Sequence, residues 1–298
     1  MDITPTFNRT RIAPTPSGYL HPGNVLSFVI TIGMARRTGA SVLLRIDDMD
    51  RERYQDAYVL DIFNVLEYLE LPYDEGPRNL KEFKEQYSQV HRLPMYRQAL
   101  EHLEKTGKVF ACTCSRSQLP QGAYPGTCMR RNYPLQSQDT NWRLITDITP
   151  LSLLTLTEET AVTLPDQMQC FVVRKKDGNP AYQLTSVIDD LHFNVDFIVR
   201  GVDLWPSTIA QLYLAQHLPA NAFHNTTFYH HPLLTDQEGK KLSKTAGSVS
   251  IQHMIKEGKS KEEIYKILAR FANLPERDVY DWNSLATLYF AEKSTPLP

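Results

Sequence analysis

The chain has 298 residues, of which 42% are hydrophobic and 22% charged, and this composition excludes a mainly disordered protein. Its formal net charge of -2, from 32 Lys and Arg against 34 Asp and Glu, excludes a surface that is basic all over. Any contact with RNA would therefore come from local patches and depend on salt. No secretory signal begins the sequence and no apolar run reaches about 18 residues, so we predict no membrane segment.

Cysteine usage points to a reducing compartment. Three of the four cysteines crowd into residues 112–128. Cysteines one residue apart rarely bridge each other, and four cysteines are too few to stabilise a chain of this length by disulfides. We therefore predict reduced thiols and a cytoplasmic location, and no obligate protein partner is evident.

The first predicted elements are those of a Rossmann-like sheet. Arg11–Ala13 is predicted as a short strand, and a turn-rich segment follows it. Apolar residues at helical spacing from Val25 to Ala35 predict a helix that Gly39 ends. Ser41–Ile46 is then predicted as a buried strand. A strand, a turn, a helix and a second strand are the beginning of a parallel α/β sheet.

The remaining elements are less regular. Further helices are predicted from Tyr58 to Leu69, over 92–107 and in the tail after Ser250, whereas residues 112–166 are short, turn-rich pieces of an insertion. Residues 170–174 and the apolar run from Ala181 to Ile188 are predicted as a hairpin around an Asp-Gly turn. Residues 196–200 are predicted as a central strand.

Two elements have the composition of phosphate-binding loops. His21, Gly23 and Asn24 lie where the first strand turns into the first helix; the helix N-terminus offers free N–H groups, and glycine permits close approach of a ligand. Lys241, Ser243 and Lys244 follow an acidic turn, and clustered ammonium groups can neutralise a leaving pyrophosphate. Taken singly, the first element is also compatible with an ordinary Gly/Pro loop, and the second with a solvated basic turn.

Together, and in this order, the two elements resemble the HIGH and KMSKS motifs of class I aminoacyl-tRNA synthetases. The resemblance implies that His21, Gly23, Asn24, Lys241, Ser243 and Lys244 bind ATP. It also implies that His21 and Lys244 are catalytic.

Further motifs resemble the glutamyl and glutaminyl branch of that class. They are Arg11–Gly18, Arg45–Arg53, Asp74–Pro77, Ala181–Asp190 and Val199–Asp203. The resemblance implies a glutamate site whose residues are Arg11, Ile12, Ala13, Pro14, Thr15, Asp47, Tyr182 and Arg200. Guanidinium groups are natural partners of a substrate carboxylate, which independently favours Arg11 and Arg200. The branch usually has Glu at the position of Asp47, so the carboxylate here is retracted by about 1.5 Å.

The cysteine-rich segment predicts a structural zinc site. Cys112, Cys114 and Cys128 supply soft ligands, and zinc favours a closed tetrahedral set. Tyr124 is included because glutamyl-Q-type enzymes, which the chain resembles, have a similar Cys-x-Cys…Tyr-x3-Cys pattern. Three unligated cysteines in a loop are the alternative.

The order of the motifs predicts four regions. Residues 1–110 and 170–246 are predicted as the two halves of the catalytic domain, 111–169 as the insertion with the zinc site, and 247–298 as a short helical region. No anticodon-binding domain is expected. The shortness of region 247–298 favours the truncated relatives, the glutamyl-Q-tRNA(Asp) synthetases.

The resemblance therefore implies activation of L-glutamate with ATP and Mg²⁺, followed by transfer to queuosine in the anticodon of tRNA(Asp). Two alternatives stay open. One is a ligase that forms the same adenylate but uses another acceptor or another tRNA. The other is a non-catalytic relative that binds only tRNA or a nucleotide.

Overall fold

The computed structural model describes residues 5–119, 123–219, 222–232 and 250–292. They fall into two compact units. The first lies within Met1–Gln89, Phe197–Val202 and His230–Pro298, and the second within Val90–Asp196 and Asp203–Tyr229.

The first unit is built on a parallel strand–helix–strand motif. Strand β1 (Arg9–Ile12) pairs in parallel with β2 (Ser41–Leu44), in a register that places Arg9 opposite Ser41 and Ile12 opposite Leu44. Helix α1 (Pro22–Thr38) connects them and ends at Gly39, whose φ of 75° lies in the left-handed region that favours glycine. The last three residues of each strand are buried, as expected for a sheet that is covered on both faces.

Helix α2 (Asp56–Tyr68) follows β2 and buries Val59, Ile62, Val65 and Leu66. The short helix α3 (Leu80–Glu82) continues into a π-helical turn over Phe83–Tyr87.

The connection between α2 and α3 lies against β2. Its Glu75 forms a parallel bridge with Leu43. At Gly76, φ is 105° and an added Cβ would lie 2.3 Å from the Leu44 carbonyl oxygen. Only glycine fits this position, because both the backbone angle and the close approach exclude a side chain.

Three helices, α7 (Ile251–Lys256), α8 (Lys261–Phe271) and α9 (Trp282–Glu292), form the described part of the tail. Ser250 and Ser260 cap α7 and α8 by accepting N–H groups of the first turn. Helix α9 packs against α1 at Gly33, where an added Cβ would lie 2.8 Å from Ala286 Cβ.

Strand β8 (Phe197–Gly201), which also belongs to the first unit, packs beside β1. Its first four residues are buried. The predicted strand at 196–200 is therefore confirmed within one residue.

The second unit contains helix α4 (Leu93–Lys105) and an antiparallel sheet in the order β3 (Val109–Cys112), β4 (Asn141–Leu144), β7 (Val172–Arg174). Strand β5 (Leu151–Thr155) pairs antiparallel with β6 (Glu159–Val162). It also pairs in parallel with the beginning of β9 (Thr227–His231).

Helices α5 (Tyr182–His192) and α6 (Trp205–Ala215) pack against each other in this unit. A buried carboxylate, Asp189, organises its interior. It accepts hydrogen bonds from Arg92 Nε at 2.7 Å, Arg92 Nη2 at 3.0 Å and the Tyr96 hydroxyl at 2.5 Å. These partners compensate for the loss of hydration that an isolated buried carboxylate would suffer.

The predicted hairpin is wrong in its second half. The turn exists, with Lys175 N–H bonded to the Asn179 carbonyl and an antiparallel bridge between Arg174 and Pro180. The apolar run after it, however, is helix α5. A short apolar run suits a buried helix as well as a buried strand, and here Leu184 and Val187 lie one turn apart on the buried side.

Among the described residues, no helix combines the length and the apolar character that crossing a membrane requires.

Candidate active site

His21 immediately precedes helix α1, at a turn whose backbone is fully engaged. Its N–H donates to Asn24 Oδ1 at 3.1 Å, and its carbonyl accepts from Asn24 N at 2.9 Å and Val25 N at 3.3 Å. Pro22 suits the first helical position because that residue needs no N–H donor. The N–H groups of the first helical turn are directed out of the helix end, where an anion is favoured.

The predicted basic element, Lys241, Ser243 and Lys244, lies outside the described residues. Residues on both sides of it are described, and both contact the region around His21. Before it, His231 Nε2 lies 2.9 Å from Ser27 Oγ on α1. After it, Ile251 N–H donates to the Leu20 carbonyl at 2.9 Å. The chain thus enters and leaves 233–249 beside the first turns of α1.

Two histidines lie at the end of β9. His231 Nδ1 lies 2.9 Å from the Pro232 carbonyl, which can only accept, so Nδ1 carries a proton, and Nε2 lies 2.9 Å from the Ser27 hydroxyl oxygen. Burial lowers the pKa of His230 to about 3, with further contributions from the positive charge of Arg200 and from His231. His230 is therefore neutral near pH 7, and its ring lies within electrostatic range of Arg200.

The predicted glutamate residues of the first unit lie on neighbouring strands. Arg11 is on β1 and Arg200 on β8, with only 6% and 4% of their surfaces exposed. Arg11 Nη1 lies 3.5 Å from the Val199 carbonyl. Two guanidinium groups thus belong to adjacent buried strands, an arrangement suited to an anionic ligand.

Residues 45–47 lie alongside residues 11–15, which contribute to the predicted glutamate site. Arg45 N–H donates to the Ile12 carbonyl at 3.0 Å, and Asp47 N–H donates to the Pro14 carbonyl at 2.9 Å. Residues 11–15 and 45–47 therefore continue the parallel pairing beyond the regular ends of β1 and β2. Ala13 is half-buried and Thr15 exposed at this edge. Carboxyl ends of parallel strands are where ligands bind in open α/β sheets.

Asp47 has a partner that the sequence analysis missed. Arg45 Nε donates to Asp47 Oδ1 at 2.7 Å and Arg45 Nη2 to Oδ2 at 3.0 Å, and both side chains are buried. Residues two apart in extended backbone point to the same side, so an Arg-x-Asp sequence at a strand end was the available signal.

The next residue, Asp48, has a structural role. Its carboxylate accepts from Ser88 Oγ at 2.6 Å, Gln89 N–H at 2.7 Å and Arg51 Nη1 at 2.6 Å. Gln89 Oε1 in turn accepts from Met49 N–H at 2.7 Å. Asp48 therefore anchors residues 88–89. Asp47, in contrast, lies beside Pro14, to whose carbonyl its backbone N–H donates.

Tyr182 belongs to the second unit, where it is the first residue of α5 and is 45% exposed. Its neighbour Gln183 is fixed by a hydrogen bond from Nε2 to Ser207 Oγ at 3.0 Å. The structure thus brings Arg11, Asp47 and Arg200 into one compact unit and places Tyr182 in the other.

The three cysteines of the insertion form a cluster. The sulfur atoms of Cys112, Cys114 and Cys128 all lie within 4.8 Å of one another, and those of Cys114 and Cys128 are 3.6 Å apart. A tetrahedral zinc site with Zn–S bonds of 2.3 Å requires S···S distances of about 3.8 Å. The donor set and its spacing therefore fit zinc. No disulfide joins these cysteines.

The electrostatic environment of the cluster suits a thiolate. Burial by itself raises the pKa of Cys128, but hydrogen bonds from Thr113, Cys114 and Cys112 outweigh it and lower the pKa to about 6. Burial raises the pKa of Cys112, and a hydrogen bond and the positive charge of Arg143 oppose that shift.

Tyr124 lies against the cluster, and its hydroxyl accepts the N–H groups of Cys128 at 2.6 Å and Met129 at 3.1 Å. The Arg143 guanidinium lies over the Tyr124 ring, with its Cζ 4.6 Å from the ring centroid. The phenol oxygen is thus held beside the Cys128 backbone, and its role as fourth zinc ligand stays a prediction.

Comparison with known proteins identifies the family of the chain. Residues 8–147 and 155–279 match the family of class I tRNA synthetases (E and Q), catalytic domain. The glutamyl-Q tRNA(Asp) synthetase of Symbiobacterium thermophilum is 35% identical over 291 residues, which cover 90% of this chain and 87% of that protein. The glutamate–tRNA ligase 2 of Halorhodospira halophila is 31% identical over 95% of this chain, which spans only 61% of that longer protein.

A solved glutamate tRNA ligase from Elizabethkingia meningosepticum, in complex with its amino acid, superposes with a TM-score of 0.71 at 22% identity. It covers 94% of this chain, and the chain covers 64% of it. This likeness confirms the predicted α/β fold, and the sequence matches supply the family. The chain belongs to the class I tRNA synthetase (E and Q) family.

Proposed function

We propose that the protein activates L-glutamate with ATP and transfers it to queuosine in tRNA(Asp). The observation that carries this proposal is the pair of buried guanidinium groups, Arg11 and Arg200, in the same compact unit as the capped turn at His21. The pair of guanidinium groups is suited to a carboxylate, and the turn at His21 is suited to a polyphosphate.

In the first step, an oxygen of the glutamate α-carboxylate attacks the α-phosphorus of ATP. The bond from this phosphorus to the bridging oxygen breaks, so pyrophosphate leaves with the electron pair. His21 and the amides around Gly23 stabilise charge on the phosphates, and Lys244 meets the departing pyrophosphate. Mg²⁺, when bound with the triphosphate, neutralises part of its charge. The step needs positioning and electrostatics and no covalent protein nucleophile.

The amino acid is held through both of its ends. Arg11 and Arg200 bind the side-chain carboxylate, and Asp47, oriented by Arg45, accepts from the substrate ammonium.

In the second step a hydroxyl of the queuosine cyclopentene ring attacks the carbonyl of glutamyl-adenylate. An ester forms, AMP leaves, and the hydroxyl proton passes to solvent. The similarity to a glutamyl-Q tRNA(Asp) synthetase over 87% of that protein's length supports this acceptor. The match to a glutamate–tRNA ligase supports a second candidate, in which the acceptor is the 3′ end of a tRNA.

ATP–pyrophosphate exchange with each amino acid, with and without tRNA, tests the first step. We expect exchange with glutamate in the absence of tRNA. Exchange only with glutamine or aspartate would overturn the substrate, and no exchange under any condition would favour a non-catalytic binding protein.

Transfer of radiolabelled glutamate to tRNA(Asp) with and without queuosine tests the acceptor. Label only on the queuosine-containing tRNA supports the proposal, whereas equal label on tRNA with and without queuosine supports the second candidate. Lys244→Ala should lower exchange at least about a hundredfold. The matched control is Lys105→Ala, which removes a surface lysine with a 78% exposed side chain.

A further inference from the structure

Helix α2 places one carboxylate inside the protein. Asp61 is 1% exposed and lies on the face of α2 that also buries Val59, Ile62 and Val65. Its Oδ2 accepts the backbone N–H of Leu20 at 2.8 Å. Leu20 immediately precedes His21, so this contact ties α2 to the turn before α1.

A packing role does not account for a carboxylate at this position. Burial raises the pKa of Asp61, and the Leu20 N–H and the positive charge of Lys256 only partly oppose that shift. The other oxygen, Oδ1, is buried and makes no hydrogen bond among the described residues. Burying a charge with incomplete hydrogen bonding is unfavourable, and an apolar side chain would fill the same space at a lower cost in free energy.

The Asp61 contact completes the fixation of the turn. Leu20 N–H is held by Asp61, the Leu20 carbonyl by Ile251 N–H at 2.9 Å, and His21 N–H by Asn24 Oδ1 at 3.1 Å. The Leu20 side chain is also buried, with 3% exposed. Without Asp61, the peptide between Tyr19 and Leu20 would have a buried donor without an acceptor and a reason to rotate.

We propose that Asp61 is a positioning residue for the reaction, holding the Leu20 amide so that His21 and the first amides of α1 face the ATP phosphates. The inference rests on the proposed function only in taking ATP as the ligand of this turn. A displacement of about 1 Å in such a group costs up to about a hundredfold in rate, so a single lost anchor has a measurable effect.

Two substitutions at one position separate positioning from stability. Asp61→Asn keeps an acceptor oxygen for Leu20 N–H and removes the charge. Asp61→Leu removes the acceptor and fills the space with apolar atoms. Thr38→Val is the control: Thr38 Oγ1 makes a buried hydrogen bond to the Met34 carbonyl at the other end of α1.

We expect Asp61→Leu to raise the KM for ATP about tenfold or more and to leave the KM for glutamate within about twofold. Asp61→Asn should restore the KM for ATP. Thr38→Val should lower the melting temperature without changing either KM. If Asp61→Leu keeps the original KM for ATP, at whatever melting temperature, Asp61 is structural only and the inference fails.

Two activity-independent measurements keep the inference separate from the proposed function. Hydrogen exchange of the Leu20 amide should be slow in the original protein and Asp61→Asn, and at least about tenfold faster in Asp61→Leu, because the amide has lost its acceptor. Calorimetric titration with Mg–ATP should show weaker binding only in Asp61→Leu. If the original protein activates no amino acid, the proposed function fails while these measurements still decide the role of Asp61. Equal Mg–ATP affinity in all variants overturns the inference.

Discussion

The carboxylate of Asp47 lies in the fork of the Arg45 guanidinium, with Oδ1 2.7 Å from Nε and Oδ2 3.0 Å from Nη2. Both groups are buried and come from the same strand end. The pair fixes how far the carboxylate reaches toward the edge where Asp47 N–H meets the Pro14 carbonyl.

The first prediction concerns the length of this side chain. Asp47→Glu moves the carboxylate by about 1.5 Å and should change the KM for glutamate more than kcat. Asp50→Glu is the control, because Asp50 pairs with Arg53 at the surface. Glutamate-dependent pyrophosphate exchange measures both constants, and an unchanged KM in Asp47→Glu would remove Asp47 from the pocket.

The second prediction removes the partner. Arg45→Ala removes two charge-assisted hydrogen bonds from the buried Asp47 carboxylate and should lower the free energy of unfolding by about 3–5 kcal/mol. Urea denaturation measures this change. A loss below about 1 kcal/mol would mean that water replaces the guanidinium and that the fork contributes little to the fold.

The third prediction concerns zinc. The purified protein should contain one zinc per chain by atomic absorption, and a strong chelator should lower its melting temperature. Cys128→Ser should lose the metal, whereas Cys170→Ala, a buried cysteine outside the cluster, should keep it. Tyr124→Phe should weaken zinc binding markedly if the phenol is the fourth ligand, and full metal content at limiting zinc would contradict that role.

The fourth prediction is a pH dependence of stability that His230 causes. Its folded pKa of about 3 lies below the ordinary value of 6.5, so only the unfolded chain takes up this proton between those pH values. The contribution to stability is complete above pH 6.5 and is lost as the pH falls toward 3, with a slope of at most about 1.4 kcal/mol per pH unit. His230→Gln should flatten this part of the profile, and His91→Gln, at an exposed position, should not. Identical slopes for both variants would show that other groups control acid unfolding.

The fifth prediction tests the packing of α9 on α1. Gly33→Ala places a methyl group 2.8 Å from Ala286 Cβ and 2.8 Å from Phe290 Cε2. Glycine to alanine in a helix normally gains about 0.5–1 kcal/mol, but overpacking of this kind costs about 1–3 kcal/mol, so the net effect is a loss. Adding Phe290→Leu should recover part of it, as a double-mutant cycle in thermal denaturation would measure. Full additivity of the two changes would argue against the contact.

Much of the fold could be predicted because its signals are local. Apolar spacing in Val25–Ala35 and a glycine at its end specify a helix wherever the chain goes, and the run at 41–46 specifies a strand. The apolar run at 181–188 could not be assigned correctly, because a short run has no period long enough to distinguish a buried helix from a buried strand.

The candidate site divides in the same way. Sequence by itself determined which residue types are available: the turn at His21, the arginines at 11 and 200, and the cysteines of 112–128, each tied to its neighbours by a motif. Only the tertiary structure decided that Asp47 is held by Arg45 and that Asp61 holds Leu20 across 41 positions. Such contacts depend on how separate helices and strands pack, and burial decides their energy, so neither can be derived from residues that are adjacent along the chain.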